Sequence, residues 1–195
     1  MDIISLAKRK ISNRRDIINF MTIRDATEDD DSLLGEFLIS IFSEVNQRKI
    51  GLTMNEKRRK ELLQTKERRD RAVVRILEFD SKIIGSYTLS PPGSPYNLSW
   101  CPLSCYFSTF ALHQNFHGMG LGSMLILDAR TKAMDLMIPS MMILVEKTAY
   151  KLHEFYLNHG FYLDPAGDCE HVGMNLIGMK TDLTLTTSDD LLKAI

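Results

Sequence analysis

The chain has 195 residues, of which 44% are hydrophobic and 25% charged, and its formal net charge is −1. This length and balance are typical of one globular domain. The near-neutral charge excludes a protein that is basic throughout and coats nucleic acid. The three cysteines are too few for a disulfide framework and favour a reducing, cytoplasmic location. No apolar run approaches the roughly 18 residues that a membrane-spanning helix needs.

The chain shows no internal repeat and no low-complexity linker that would divide it. Residues 1–21 are predicted to form a basic, weakly amphipathic helical extension. They do not resemble a signal peptide, because their apolar stretch is short and precedes the basic cluster at 8–10. We expect the main domain to cover residues 22–180 and a carboxy-terminal tail to cover 181–195.

The first half of the chain begins with a short strand at 22–24. Thr27 then caps a predicted helix over 30–45, in which apolar residues recur at three-and-four spacing. Residues 55–71 carry interleaved charges of both signs, which is typical of a solvated helix face, with a basic docking surface as the alternative. Two strands joined by a tight turn follow as a hairpin, at 72–79 and 83–89.

The second half alternates between strands and helices. A proline-rich loop at 91–104 precedes a strand, a glycine-rich turn, a helix that Pro139 ends, a buried strand, and a helix that Gly160 closes. Two further strands complete the domain. Because hairpins and strand–helix–strand units occur together, we expect an α/β (α+β) fold with a mixed sheet. The ranges in chain order are 106–112, 117–122, 123–137, 141–145, 148–158, 161–164 and 172–180.

The glycine-rich turn carries the strongest functional signal. Gly118, Gly120 and Gly122 follow a strand and open a helix, so main-chain N–H groups and the positive end of the helix dipole can meet at one point. That arrangement favours a phosphate group. A P-loop is excluded because Gly122 is followed by Ser123 and Met124 instead of Lys and Ser or Thr, and Ser123 also breaks the dinucleotide-binding pattern. A bare tight turn is the remaining alternative.

The same turn resembles motif A of the GNAT-type (acetyl-CoA-dependent) N-acetyltransferases, with His117 where Gln or Arg is usual. Two other segments resemble the family in the same order along the chain: an opening strand and helix start at 23–30, and a helix and turn at 153–161. The resemblance implies a GNAT-like single domain whose mixed central sheet is flanked by helices. In that fold, two splayed parallel strands hold CoA, here 106–112 and 141–145.

The resemblance implies which residues bind acetyl-CoA, the co-substrate. The pantetheine arm would pair with the main chain of the first splayed strand, and the pyrophosphate would bind the glycine turn. The family often has Asn at the position of Ala149, so this contact with the cofactor is altered. The predicted cofactor-binding residues are Phe110, Ala111, Leu112, His117, Gly118, Met119, Gly120, Leu121, Gly122, Ser123 and Ala149.

The resemblance also implies direct attack of an amine on the thioester. Glu146, at the carboxyl end of the second splayed strand, is the candidate base, and a rim carboxylate paired with Lys147 is the alternative. Tyr156 matches the family tyrosine that protonates the leaving thiolate, although its place on an apolar helix face also suits a core residue. The predicted activity is therefore acetyl transfer to a primary amine of a small molecule or protein.

The acceptor is expected to meet three loops, at 46–55, 91–104 and 164–171. Asp164, Asp168 and Glu170 in the last of them could hold a cationic amine. The alternatives are a longer-chain acyltransferase, with Met119, Met124, Met141 and Met142 lining a tunnel, and an acyl-CoA-binding sensor without turnover. We expect no metal, because Cys101 and Cys105 have no second ligand pair, and no nucleic acid. A homodimer is possible because a mixed sheet leaves an open edge.

Overall fold

The computed structural model describes residues 21–50, 54–171 and 173–183, without the side chains of 45–50. The strands are β1 (Met21–Asp25), β2 (Val73–Phe79), β3 (Lys82–Ser90), β4 (Cys105–Leu112), β5 (Ser140–Glu146), β6 (Tyr162–Leu163), β7 (Cys169–His171) and β8 (Met174–Asp182). The α-helices are α1 (Asp31–Ile50), α2 (Glu56–Leu63), α3 (Thr65–Arg69), α4 (Leu121–Asp135) and α5 (Tyr150–Leu157). The predicted extension and tail fall mostly outside these residues, so the domain boundaries stay a prediction.

The strands form one mixed sheet in the order β1-β2-β3-β4-β5-β8-β6, with β7 paired to β8. Strands β4 and β5 run parallel, and β8 runs antiparallel to β5, β6 and β7. The predicted α/β class with a mixed sheet and flanking helices is confirmed. The short strand β7 escaped prediction because its Cys-Glu-His sequence is polar and carries no alternating pattern.

The chain divides into two compact units, and β3, β4 and α4 contribute residues to both. The first unit holds the described residues up to Thr88 together with Thr109–Leu125. The second unit holds Leu89–Ser108 and the described residues from Ile126 onward.

The core of the first unit lies between α1, α2 and β2. Leu34 and Leu38 of α1 pack with Leu62 of α2 and with Val74 and Ile76 of β2, all of them buried. The predicted charged helix at 55–71 is interrupted at Gln64, where the backbone leaves the helical region (ψ 51°). The hydroxyl of buried Thr65 donates to the Asp31 carbonyl at 2.7 Å, so the break attaches α3 to the start of α1.

An ion-pair cluster fixes the first turn before α1. Arg24 donates to both carboxylate oxygens of Asp30, at 2.7 and 2.9 Å, and to Glu78 at 2.7 Å. Asp30 in turn accepts from the backbone N–H of Thr27 at 2.7 Å and from its hydroxyl at 2.8 Å. These contacts, the hydrogen bond from Arg24 above all, lower the pKa of Asp30 to about 2.

Replacing Asp30 with asparagine should make folding less sensitive to acid. Because the pKa of Asp30 is lower in the folded chain, its stabilisation is complete above about pH 4 and is lost as the pH falls towards 2. With a discount for the 36% exposed Arg24, that stabilisation is about 1–2 kcal/mol. Urea unfolding at pH 7 and pH 3 measures it. The exposed neighbour Asp29→Asn is the control, and equal pH dependence in the two variants would contradict this assignment.

The core of the second unit lies between β5, α5 and β8. Met141 and Val145 of β5 are buried with Met179 of β8, Tyr156 of α5 and Phe161. Arg130 of α4 attaches the end of α5, because its guanidinium donates to the His159 carbonyl at 2.7 Å and to the Thr181 hydroxyl at 2.6 Å. Gly160 has φ +74°, the left-handed conformation that closes the helix as predicted.

Candidate active site

The glycine turn between β4 and α4 needs its glycines for conformational reasons. Gly118 and Gly120 have φ of +74° and +83°, values that residues with a side chain rarely adopt. A Cβ atom built on either glycine meets no atom within 4 Å, so the space beside the main chain is open. The turn is therefore a cradle that a ligand can approach closely.

Helix α4 begins at Leu121, two residues earlier than predicted. Its first hydrogen bond runs from the Met124 N–H to the Gly120 carbonyl at 3.1 Å. The first turn, Leu121 to Ser123, therefore directs main-chain N–H groups toward the amino end of the helix, where the dipole is positive. The predicted residues 117–123 lie together at this end, and a helix start of this kind can bind phosphate groups.

His117 replaces the usual Gln or Arg of the motif and has a structural contact. Its ring Nε2–H donates to the carbonyl of Leu112 at 2.9 Å, which ties the turn to the last residue of β4. The segment Phe110, Ala111 and Leu112 is thereby held next to the turn. These two predicted parts of the cofactor site lie side by side within the first unit.

The pairing between β4 and β5 is short. Cys105 lies opposite Met141 and Tyr106 opposite Met142, and the register ends there. On its other edge, β5 stays paired with β8 through Glu146, opposite Leu176. From Ile143 onward, β5 is no longer paired with β4.

Thr109, in the middle of β4, has an unusual backbone that the sequence did not reveal. Its φ is +45°, although threonine is β-branched and strongly disfavours positive φ. The side-chain oxygen of Thr109 lies 2.6 Å from that of Thr88 on β3. No pattern of residue types signals such a position, since a strand of β-branched and aromatic residues predicts regular extended backbone.

Glu146 lies at the carboxyl end of β5, as predicted, and holds the turn that follows. Its carboxylate accepts from the Thr148 hydroxyl at 2.6 and 2.7 Å and from the Thr148 N–H at 3.2 Å. Its carbonyl accepts from the N–H of buried Ala149 at 2.9 Å and from the His153 ring at 3.0 Å. The carboxylate is thus oriented by Thr148, a contact that sequence reasoning had not identified.

Tyr156, one of the two predicted catalytic residues, is buried. Its side chain is 1% exposed, and its ring packs edge-on against Phe161 at 5.3 Å. Burial, with a smaller contribution from Tyr106 of β4, raises the pKa of Tyr156 well above its ordinary value of about 10. The phenol is therefore protonated throughout the physiological pH range and keeps its O–H available as a hydrogen-bond donor.

Two of the three loops predicted for the acceptor are joined by the single tryptophan. The indole Nε1–H of Trp100 donates to the Asp164 carboxylate at 2.8 Å. A Cβ atom on Gly167 would lie 2.4 Å from the Trp100 ring, so the ring rests directly on that turn. The loops at 91–104 and 164–171 therefore form one surface, whereas the third loop, 46–55, lies partly outside the described residues.

The acidic residues of this surface mostly have structural partners. Asp164 accepts from Trp100 and from the Ala166 N–H, and Asp168 accepts from the Gly178 N–H at 3.0 Å. Asp168 and Glu170 are both exposed, whereas Asp164 is half-buried. A cationic acceptor held by all three carboxylates is therefore less favoured than the sequence suggested.

The surroundings of the cysteines and methionines give little support to a reactive cysteine or to a methionine-lined acyl tunnel. Cys105 is buried, and burial raises the pKa of its thiol to about 12, which does not suit a nucleophile. Within the described residues, no three potential metal ligands cluster. Met141 and Met142 are buried in β5, with the Met142 sulfur accepting from the Ser99 hydroxyl at 3.1 Å, and pack as core residues.

A glycine cradle at a helix start and a short parallel pairing of β4 with β5 are the features that the site offers for comparison. Comparison with known proteins gives the family. The model of the acetyltransferase (GNAT) family matches residues 37–161. The chain therefore belongs to the GNAT acetyltransferase family, as the resemblance predicted. No curated protein sequence matches the chain significantly.

Solved structures agree on the fold. A GNAT-family acetyltransferase from Staphylococcus aureus Mu50 has a TM-score of 0.67 at 12% identity, with 84% of this chain and 99% of that chain covered. The PaiA N-acetyltransferase of Thermoplasma acidophilum, solved with coenzyme A, has a TM-score of 0.61 at 14% identity (83% and 98% covered). A GNAT acetyltransferase of Elizabethkingia anophelis, solved with acetyl-CoA, has a TM-score of 0.56 at 15% identity (85% and 99%).

Among the described residues, no helix has both the length and the apolar character needed to cross a bilayer.

Proposed function

We propose that this enzyme transfers an acetyl group from acetyl-CoA to a primary amine by direct attack of the amine on the thioester. The observation that carries the proposal is the open glycine cradle at Gly118 and Gly120, where positive φ and free space coincide at the start of α4. Acetyl-CoA fits a site of this kind because its pyrophosphate suits the N–H groups of a helix start.

The predicted cofactor residues take different parts of this ligand. Residues 117–123 bind the pyrophosphate, and the main chain of Phe110 and Leu112 pairs with the pantetheine arm as an added strand would. One acceptor position of the Leu112 carbonyl is already used by His117, which leaves the other for the ligand. When bound, acetyl-CoA supplies the activated thioester carbonyl.

Glu146 is the proposed base. An amine of lysine type has a pKa of about 10.4, so deprotonating it at pH 7 costs about 4–5 kcal/mol, and a base must take that proton. Thr148 orients the Glu146 carboxylate at the end of β5, because its one hydroxyl proton is shared between the two carboxylate oxygens and its backbone N–H donates to one of them. Glu146 takes the proton directly or through water.

Tyr156 stabilises the leaving thiolate. Because the pKa of its phenol is raised well above 10 and a thiol has a pKa of about 8.5, complete proton transfer to the sulfur is uphill. The contribution of Tyr156 is therefore a hydrogen bond to the developing negative charge from a donor that is fixed in a buried site.

The amine acceptor and the cellular location of the enzyme are the remaining parts of the proposal. The surface joined by Trp100, with exposed Glu170 beside it, is the proposed acceptor side, and the amine belongs to a small molecule or a protein. The three cysteines are all free, which supports the proposed cytoplasmic location.

Thermal unfolding with acetyl-CoA tests the cofactor site. Ligand at 100 times its Kd should stabilise the wild type by about 2.7 kcal/mol, with a similar effect of CoA and none of NADH. Gly120→Ala should bind about tenfold more weakly, because a Cβ forces the cradle out of its positive φ. Gly173→Ala is the matched control, since Gly173 also has positive φ (+76°) and open space. If CoA compounds leave the wild type unshifted, the proposed function is wrong.

A further inference from the structure

Strand β4 contains one backbone distortion that the proposed mechanism has not used. Four non-glycine residues with positive φ occur in the described part of the chain: Asp80, Ser81, Thr109 and Met137. Asp80 and Ser81 form the tight turn between β2 and β3, and Met137 follows the end of α4. Thr109 alone lies inside a strand, and it is the one β-branched residue among the four.

A strained residue of this kind persists only where its surroundings hold it. Thr109 is held by its hydroxyl pair with Thr88, at 2.6 Å, in which one hydroxyl donates and the other accepts. Thr88 is 1% exposed on β3, so this hydrogen bond is shielded from competing water.

Thr109 lies between two parts of β4 that have different partners. Before it, Cys105 and Tyr106 pair with β5. After it come Phe110 to Leu112, the segment proposed to pair with the pantetheine arm. A left-handed residue between the two parts changes the direction in which the following N–H and C=O groups point, as a β-bulge does. The N–H and C=O groups after Thr109 therefore do not continue the regular alternation of an extended strand.

We propose that Thr88 is a positioning residue for the cofactor: its hydroxyl holds Thr109 in the left-handed conformation that presents the main chain of Phe110 to Leu112 to the pantetheine arm of acetyl-CoA. This inference rests on the proposed function, because it assigns the pantetheine arm to that segment. It adds a residue on the neighbouring strand that need not touch the cofactor.

Calorimetric binding of two probes tests the proposal. The probes are CoA and 3′-phospho-ADP, which is the part of CoA without the pantetheine arm. Thr88→Val keeps the shape of the side chain and removes the hydroxyl, and it should weaken CoA binding about tenfold, which corresponds to about 1.4 kcal/mol. Binding of 3′-phospho-ADP, which meets only the glycine turn, should stay within twofold of the wild type. Thr88→Ser keeps the hydroxyl and should bind CoA as the wild type does.

A second pair of variants separates positioning from general stability. Glycine adopts positive φ without strain, so Thr109→Gly needs no support from Thr88. Adding Thr88→Val to Thr109→Gly should therefore change CoA affinity less than twofold. An unchanged affinity of Thr88→Val for CoA, or an equal loss for both probes, would overturn the proposal. If the wild type binds neither probe, the proposed function fails and this inference fails with it.

Discussion

Replacing Tyr156 with phenylalanine should lower kcat for acetyl transfer by about 100-fold and leave the KM for acetyl-CoA nearly unchanged. The hydroxyl is expected to act on charge that develops on the sulfur only as the thioester breaks. An interaction made only in the transition state lowers kcat when it is removed, whereas an interaction also made in the ground state raises KM.

The pH dependence of kcat distinguishes a hydrogen-bond donor at Tyr156 from a base. Burial keeps the Tyr156 phenol protonated, because its pKa is raised well above 10. The ratio of wild-type to variant kcat should therefore be constant from about pH 6 to pH 9.5. If Tyr156 instead acted as a base, the ratio would rise with pH as the phenolate formed. Steady-state kinetics with any active amine measures this ratio.

The exposed residue Tyr150, on the same helix, provides the control. Its side chain is 74% exposed, so Tyr150→Phe should leave kcat and Tm unchanged. The Tyr150→Phe and Tyr156→Phe variants should both retain the fold, since a tyrosine-to-phenylalanine change conserves the ring. A turnover of Tyr156→Phe within twofold of the wild type would show that Tyr156 is only a core residue, the alternative that its helix face suggests.

Replacing Gly178 with alanine should destabilise the second unit by about 2–3 kcal/mol, equivalent to roughly 5–10 °C in Tm. A Cβ atom at this position of β8 would lie 2.6 Å from the Asp164 carbonyl, 2.7 Å from the Gly167 Cα and 2.8 Å from the Trp100 ring. The first two are backbone atoms, so no side-chain rotation relieves the overlap. Part of the surface formed by the loops 91–104 and 164–171 must therefore move.

The single tryptophan reports that movement directly. Trp100 is the only tryptophan in the chain, and its indole is bonded to Asp164. Its emission should shift to longer wavelength in Gly178→Ala, and the KM for the amine should rise more than the KM for acetyl-CoA. Asn175→Ala, an exposed change in the same strand, should alter neither emission nor Tm. Unchanged emission in Gly178→Ala would contradict the role assigned to Trp100.

Local sequence patterns predicted most of the elements because short-range rules govern them. The strand pair around Asp80 and Ser81, the helix closed at Gly160 and the glycine cradle all depend on backbone preferences that a few consecutive residues carry. The family motif at 117–122 similarly indicated the cofactor class, since a phosphate site at a helix start is built from neighbouring main-chain N–H groups.

Predictions that needed distant partners were less complete. The loops at 91–104 and 164–171 are far apart in the chain, and only the structure shows Trp100 lying on Gly167. The indole N–H of the same tryptophan donates to Asp164, which explains why Asp164 is not available as a free carboxylate. Sequence spacing indicates that a residue is acidic, but whether its oxygens are already occupied depends on long-range packing.

The sequence by itself determined the family, the order of the strands and helices apart from β7 and the break at Gln64, and the glycine turn at 118–122, because each depends on residues adjacent in the chain. Only the tertiary structure decided which groups hold the site in shape: Thr88 beside Thr109, Thr148 on Glu146, and Trp100 between two loops. Thr148 is close to Glu146 in sequence, but its hydroxyl is aimed by the turn at the end of β5. The other two contacts join segments 21 and 64 residues apart, so sheet pairing and core packing bring them together.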